Sequence, residues 1–323
     1  MGIFLPNRTA NQIPVWFMRQ AGRYHQHYQN IRKQHDFLTM CKNPELACEI
    51  TLGPINDFHY DAAILFSDLL FPLEQLSMGL TYQAGPPELA WHLTDLKACE
   101  KIKVTESAEK FYDFQKQALL LLKKSLPQSK TLLGFVGGPF TLYTYATEGS
   151  HSGNLSEAKL GIHDGRYEKF VQALLPELLK NMSLQAEGQA DAVCVFDTAA
   201  GELTPYDFKT YLLPPLLNLC REFKKLHPHT KVVYYSKHTN LQTLSVLNTI
   251  DCNIDILGFD WRVDIKEALL IFSEKFYVQG NFDPSHLFLP WNQLENYLKN
   301  FWNHVKPLGA KHLDKWIMGL GHG

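Results

Sequence analysis

No stretch of this 323-residue chain approaches the roughly 20 consecutive apolar residues of a membrane-spanning helix, so no such helix is expected. Cysteine is sparse. The six present (Cys41, Cys48, Cys99, Cys194, Cys220 and Cys252) form no C-x-x-C pair, which suits reduced thiols in the core of a cytoplasmic protein. Excess charge of either sign is missing too: 31 basic against 33 acidic residues leave a net charge of -2. No global field then draws the chain to nucleic acid or membrane, and anion recognition has to come from locally placed arginines. The opening MGIFLPNRTANQIP has no basic segment ahead of its short apolar patch, so no signal peptide is expected. Neither G-x-G-x-x-G nor a G-K-[ST] ending occurs in the glycine-containing segment 134–149, which argues against a nucleotide loop. The 14 histidines show no H-E-x-x-H or His/Cys ligand spacing, and no metal is expected. With no Gly/Ser- or Pro-rich linker and no repeat, residues 1–323 read as a single domain.

The chain is instead dominated by an alternation of short apolar runs with longer helical stretches. Candidate strands fall near 14–18, 61–66, 132–136, 191–196, 231–235, 255–259, 276–279 and 315–319. They are nearly continuous in Val, Ile, Phe and Tyr, as strands covered on both faces should be. Residues 106–126 and 168–188 space their apolar positions by three and four, predicting helices. Thr204-Pro205 reads as a cap followed by proline in the first turn of another helix. Region 24–57 looks helical with a polar face, and 71–104 looks like an irregular excursion. Eight strands alternating with helices is the count of an α/β (β/α)8 TIM-type barrel, although a doubly wound open sheet gives the same local alternation. Because the sequence stops at Gly323, just after the eighth candidate strand, the barrel reading leaves the last helix apparently absent.

In a barrel of this kind the chemistry sits just beyond the strands, at their C-terminal ends. Those positions hold Arg19, Gln20 and Arg23; Ser67 and Asp68; Tyr145; Asp197 and Thr198; Lys237 and His238; Asp260; Asn281 and Asp283; and His322. Arg19 and Arg23 are four apart with small Ala21-Gly22 between them. If Arg19 opens a helix, both guanidiniums point to one side, where they can fork onto carboxylates. Structural arginines paired with nearby acids would give the same spacing. Asp68 interrupts an apolar stretch at a strand end, as either a helix N-cap or a functional carboxylate. His322 sits among glycines in GLGHG, a poor setting for a packed core histidine.

Together these segments resemble the uroporphyrinogen decarboxylase family. P-x-W-x-M-R-Q-A-G-R at 14–23 is similar to its N-terminal signature, and G-F-x-G-x-P-F-T-L-x-x-Y-x-x-E-G at 134–149 to its second. HDFLTMCKNPELACEITLGPI (35–55), DAAILFSDLL (61–70), GFDW (258–261), QGNFDP (279–284) and GLGHG (319–323) continue the match in order. The resemblance implies a (β/α)8 barrel, a homodimer, and cofactor-independent decarboxylation of the four acetate side chains of uroporphyrinogen III to methyl groups. It implies that Arg19 and Arg23 bind substrate carboxylates, Asp68 contacts the pyrrole N–H groups, Tyr145 lies in the active site, and His322 lies near the acidic side chains. Asp68, Arg19 and Tyr145 are the expected catalytic set. The fourth-strand motif departs from the family's pattern: Thr198 stands where serine is usual, and Ala199 follows in place of a larger residue.

Two other readings compete. Corrinoid-linked methyltransferases resemble this family but bind zinc through a His-x-Cys pattern after a strand, where this chain has His238-Thr239-Asn240. A non-catalytic tetrapyrrole-binding protein is the other alternative, suggested by the chain's stop right after the GLGHG motif.

Overall fold

The computed structural model describes residues 12–82 and 86–322. The expected lack of a leader concerns MGIFLPNRTAN, outside this range, as is Gly323 of the terminal motif.

Seven parallel strands form one curled, TIM-like sheet in the order β1 (Ala62–Ile64), β2 (Thr131–Gly137), β3 (Ala192–Asp197), β4 (Lys231–Ser236), β5 (Ile256–Gly258), β6 (Tyr277–Gln279) and β7 (Trp316–Ile317). Each pairs with its successor in sequence, for example Val193 beside Val232 and Ile256 beside Tyr277. This sequential order excludes the doubly wound sheet that periodicity leaves open. Alternate residues turn inward, and Ala62, Leu133, Cys194, Val233, Ile256 and Ile317 pack with Trp16 into an inner core. The opposite faces meet the surrounding helices in a larger apolar cluster that includes Val195, Tyr234 and Leu257. All six cysteines are free and buried.

The first expected strand, 14–18, appears as a single bridge, Val15 beside Met318. Short as it is, it links both sheet edges. Trp16 N–H donates to Met318 O at 2.9 Å, Met318 N–H to Pro14 O at 2.9 Å, and Asp61 N–H to Val15 O at 3.0 Å. Pro14 has no N–H to extend the ladder. Further along, the Gln20 side chain stands in for a strand: its Nε2 donates to Ala62 O at 2.6 Å and its Oε1 accepts from Ile64 N–H at 3.3 Å. The backbone is thereby released into the irregular loop that carries the two arginines.

The helices follow their local signals closely. Region 24–57 gives Gln26–Arg32, Phe37–Lys42 and Pro44–Phe58, the last two capped by Asp36 and Asn43 side chains. The helix expected over 106–126 is split at buried Tyr112 into Ala108–Phe111 and Asp113–Ser125. Arg166–Glu187 covers the 168–188 pattern, and Thr204 Oγ1 accepts from Asp207 N–H as a cap. The described residues of 71–104 hold only the short helix Phe71–Gln75, a bridge between Thr81 and Glu88, and a 3-10 turn at Lys97–Lys101. Among the described residues no helix is long and apolar enough to cross a membrane.

Candidate active site

A cleft of about 470 Å3 opens at the C-terminal ends of the strands. All six side chains expected to meet substrate line it: Arg19, Arg23, Asp68, Tyr145, Thr198 and His322. The sequence separations are large, and only the parallel sheet brings these residues together. Aromatic and aliphatic groups make up the walls between them, chiefly Ile64, Phe66, Phe135, Phe196 and Tyr235.

Arg19 does not open a helix. Residues 18–24 run as bends and turns, and the first helix begins at Gln26 with His25 as its N-cap. Gln20 is the reason, since it is buried and fastened to β1, which fixes the chain ahead of any helical turn. Both arginines nevertheless reach the same cleft from this loop. Neither forms an ion pair among the described residues, so the structural-pair alternative has no partner acid to rest on. A side chain at Gly22 would approach nothing nearer than the Tyr24 ring at 3.5 Å, so the glycine leaves open space rather than relieving a clash.

Asp68 is not a helix N-cap. The helix after it starts at Phe71, with Leu70 in the cap position and no side-chain bond. The Asp68 carboxylate instead accepts the Leu70 N–H at 2.7 Å, closing a local turn, and keeps its remaining lone pairs for the cleft. Burial raises its pKa above the ordinary carboxyl value, only partly offset by the Leu70 amide and the nearby Tyr82 hydroxyl.

Tyr145 projects from the helix Pro139–Glu148, one turn beyond Thr141. Thr141 anchors that helix to the end of β3. Its N–H and hydroxyl both donate to Asp197 Oδ1 at 2.8 Å, and its oxygen accepts the Ala199 N–H at 3.0 Å. This network sets Thr198 at the rim. Ala199 is fully buried behind it, so the missing polar group at that position removes nothing from the cleft wall. Burial, reinforced by the Asp68 charge and opposed by Arg19, pushes the Tyr145 phenol up to about 12.

His322 packs near-parallel to the Tyr235 ring, 6.2 Å between centroids, and also faces Trp261. Burial, with Lys237, Arg19 and His151 adding to it, holds its pKa down at about 4. It is therefore a neutral hydrogen-bonding group at ordinary pH, not a standing cation.

Several of the other strand-end residues serve the scaffold, while Ser67 lines the cleft and accepts from Gln115 Nε2 at 2.7 Å. Asp197 is buried under Thr141, and Asp260 accepts the His238 and Arg262 amides. Asn281 donates to the Asp260 and Val263 carbonyls, and Asp283 caps a 3-10 turn. His238 Nδ1 meets Glu202 at 3.2 Å. Lys237, one of the expected strand-end residues, reaches over the Trp261 ring at 6.0 Å. One feature escaped the sequence reading: His151 lines the cleft and bonds Tyr145. The one local signal for His151 is Glu148-Gly149: Gly149 ends the helix in the left-handed region (φ 67°), folding His151 back over Tyr145.

The family profile described as Uroporphyrinogen decarboxylase (URO-D) matches residues 4–323. A uroporphyrinogen decarboxylase from Chloroherpeton thalassium is 33% identical over 99% of this chain and 90% of its own. Those from Thermodesulfovibrio yellowstonii (34%, 97% and 89%) and Dictyostelium discoideum (33%, 96% and 84%) are similarly related. Among solved structures, a methyltransferase from Methanosarcina mazei superposes with a TM-score of 0.69 at 14% identity, covering 97% of this chain and 88% of that one. A putative vitamin-B12 independent methionine synthase from Listeria monocytogenes gives 0.55 at 12% identity, covering 97% and 92%. At such identities these two speak to the fold alone. The sequence relatives cover nearly the full length on both sides, and the chain belongs to the uroporphyrinogen decarboxylase family.

Proposed function

We propose that this protein decarboxylates the four acetate side chains of uroporphyrinogen III, giving coproporphyrinogen III and CO2. The observation that carries the reading is one half-buried carboxyl, Asp68, in an aromatic-walled cleft that also holds two arginines with no acid partner among the described residues. A porphyrinogen matches that pattern: a ring of pyrrole N–H donors inside, apolar ring faces, and carboxylates around the edge.

The substrate supplies its own electron sink. Protonation of the pyrrole α-carbon beside an acetate-bearing carbon makes the ring a cation. The C–C bond electrons then flow into that cation as CO2 leaves, and an exocyclic methylene remains. Protonating the methylene and losing the ring proton yields the methyl group. Asp68 accepts hydrogen bonds from the pyrrole N–H groups and meets the developing positive charge, a contribution of about 3–4 kcal/mol for one well-placed group. Burial disfavours its charge in the free protein, and the cation restores a partner for it. Arg19 and Arg23 fork onto carboxylates and fix which acetate sits over Asp68. Arginine is too weak an acid to give the proton, which is relayed through water or a substrate carboxyl. Thr198 and His322 offer neutral hydrogen bonds to the acidic side chains.

Asp68→Asn is the direct test. The amide keeps the shape and cannot match a cation with a negative charge, so turnover should fall at least ~100-fold while porphyrinogen binding persists. Stability should hold or rise, because the variant removes a carboxyl whose ionised form is penalised by burial. CO2 release, equilibrium binding and urea melts measure the three quantities. Near-wild-type turnover would reduce Asp68 to the turn it makes with Leu70.

A further inference from the structure

We propose that His151 is a positioning residue of the cleft, which aims the Tyr145 hydroxyl proton away from the substrate and presents the phenol oxygen as an acceptor. The proposal rests on the tetrapyrrole reading above for its meaning in catalysis, though not for its geometry.

His151 Nδ1 lies 2.7 Å from the Tyr145 oxygen, and the two rings are 5.3 Å apart and tilted by 35°. Both side chains line the cleft. One proton must lie on that line, supplied by the phenol or by the imidazole. Burial keeps the phenol protonated, and burial with Lys237 keeps the imidazole neutral. Between neutral partners the phenol is the better donor and imidazole nitrogen the better acceptor. Tyr145 therefore donates to Nδ1, and His151 carries its own proton on Nε2. The charged and titratable groups acting around the pair are Lys237, Arg19, Asp68 and His322.

The consequence falls on the substrate. With its proton committed to His151, the Tyr145 oxygen turns only lone pairs toward the cleft. A lone pair suits a pyrrole N–H and a ring that becomes cationic, the same polarity that Asp68 supplies from its side. Without His151, the hydroxyl rotates freely and can point its proton at the ring, where it opposes the cation. Tyr145 and Asp68 thus act with one sign only while His151 accepts.

Two measurements test this. In 15N-labelled protein without substrate, the His151 ring nitrogens should report the Nε2–H tautomer with Nδ1 unprotonated; an Nδ1–H tautomer overturns the proposal. In turnover assays, His151→Leu should lower kcat about 10-fold with KM within about twofold. His151→Asn, whose Oδ1 stands close to the place of Nδ1, should recover most of the loss. In a Tyr145→Phe background, His151→Leu should cost nothing further, because the histidine acts through the hydroxyl. Losses that multiply in the double variant, or equal losses in the Leu and Asn variants, overturn it. A wild-type protein that releases no CO2 from uroporphyrinogen sinks the decarboxylase reading and, with it, the catalytic role given to His151. The tautomer result separates that failure from a failure of the dyad geometry itself.

Discussion

Asp197 shows how a conspicuous acid at a strand end can belong to the scaffold. Its Oδ1 accepts two bonds from Thr141, and Oδ2 has no partner among the described residues. Gly138 is the neighbour that allows this fit, since a Cβ there would lie 2.4 Å from the Asp197 side chain. Burial raises the carboxyl from its ordinary 3.8 to about 6, against the pull of the Thr141 bonds. The sign of the pH effect follows. From about pH 4 to about pH 6 the unfolded chain has released this proton while the folded chain still holds it. The unfolded state then binds fewer protons, so the contribution is full below about pH 4 and is lost as pH rises through about 6. A rise from 3.8 to about 6 corresponds to about 3 kcal/mol. Asp197→Asn retains an acceptor for Thr141 and cannot ionise. The stability difference between wild type and variant should therefore change by up to about 3 kcal/mol between pH 4 and 7 in urea melts. A difference that stays constant with pH would show that Asp197 titrates alike in both states. Nothing in the letters DT at 197–198 distinguishes the structural acid from the rim hydroxyl. The pleat does, by turning Asp197 outward under the helix and Thr198 toward the cleft.

Elements with a strong local pattern were legible in the sequence, and those defined by side chains replacing backbone were not. β1 through β7 and the helix Arg166–Glu187 follow from apolar periodicity within a few residues. The segment 14–18 reads as a strand because it is apolar. Its pairing is nevertheless taken over by Gln20, whose amide imitates a strand for Ala62 and Ile64. The excursion 71–104 has no periodicity to read, and one arginine organises it. Buried Arg166 donates from Nε to Asp164 at 2.8 Å, from Nη1 to the Leu93 and Thr94 carbonyls at 2.9 and 3.2 Å, and from Nη2 to the Glu157 carbonyl at 3.2 Å. Leu93 in turn donates to Ala146, on the helix that carries Tyr145. A lysine has one ammonium and cannot serve that fork. Arg166→Lys should destabilise by about 2–4 kcal/mol, since each buried carbonyl left without a donor costs about 1–3 kcal/mol. Proteolytic cutting within 87–97 should rise before global unfolding. An unchanged urea midpoint with unchanged cutting would mean that the excursion is held by its apolar contacts alone.

For the molecule as a whole, the balance of charge and its placement tell different stories. A net charge of -2 leaves little long-range field, yet Arg19, Arg23 and Lys237 act on one cleft region, where Arg19 and Arg23 have no acid paired with them among the described residues. The sequence made the six cleft residues legible through the family's motifs, which encode positions at successive strand ends. It left the polarity of the site unread, because that depends on which cations lack an acid among the described residues and which histidines burial keeps neutral. Attraction for a polycarboxylate should then be short-ranged, growing with the number of carboxylates in contact rather than with the total charge of the protein. Salt screens exposed charges over ~10 Å at 0.1 M and ~3 Å at 1 M. For the proposed substrate, KM for the octacarboxylate should rise with salt more steeply than KM for the pentacarboxylate intermediate, while kcat changes little for either. Arg23→Ala removes an exposed guanidinium from the rim and should flatten the octacarboxylate curve more than the other. Initial rates from about 0.1 to about 1 M KCl for wild type and variant read this directly, the range being set by those ~10 Å and ~3 Å screening lengths. Parallel salt curves for both substrates in both proteins would show that the cleft arginines do not engage the carboxylates that tell the two apart.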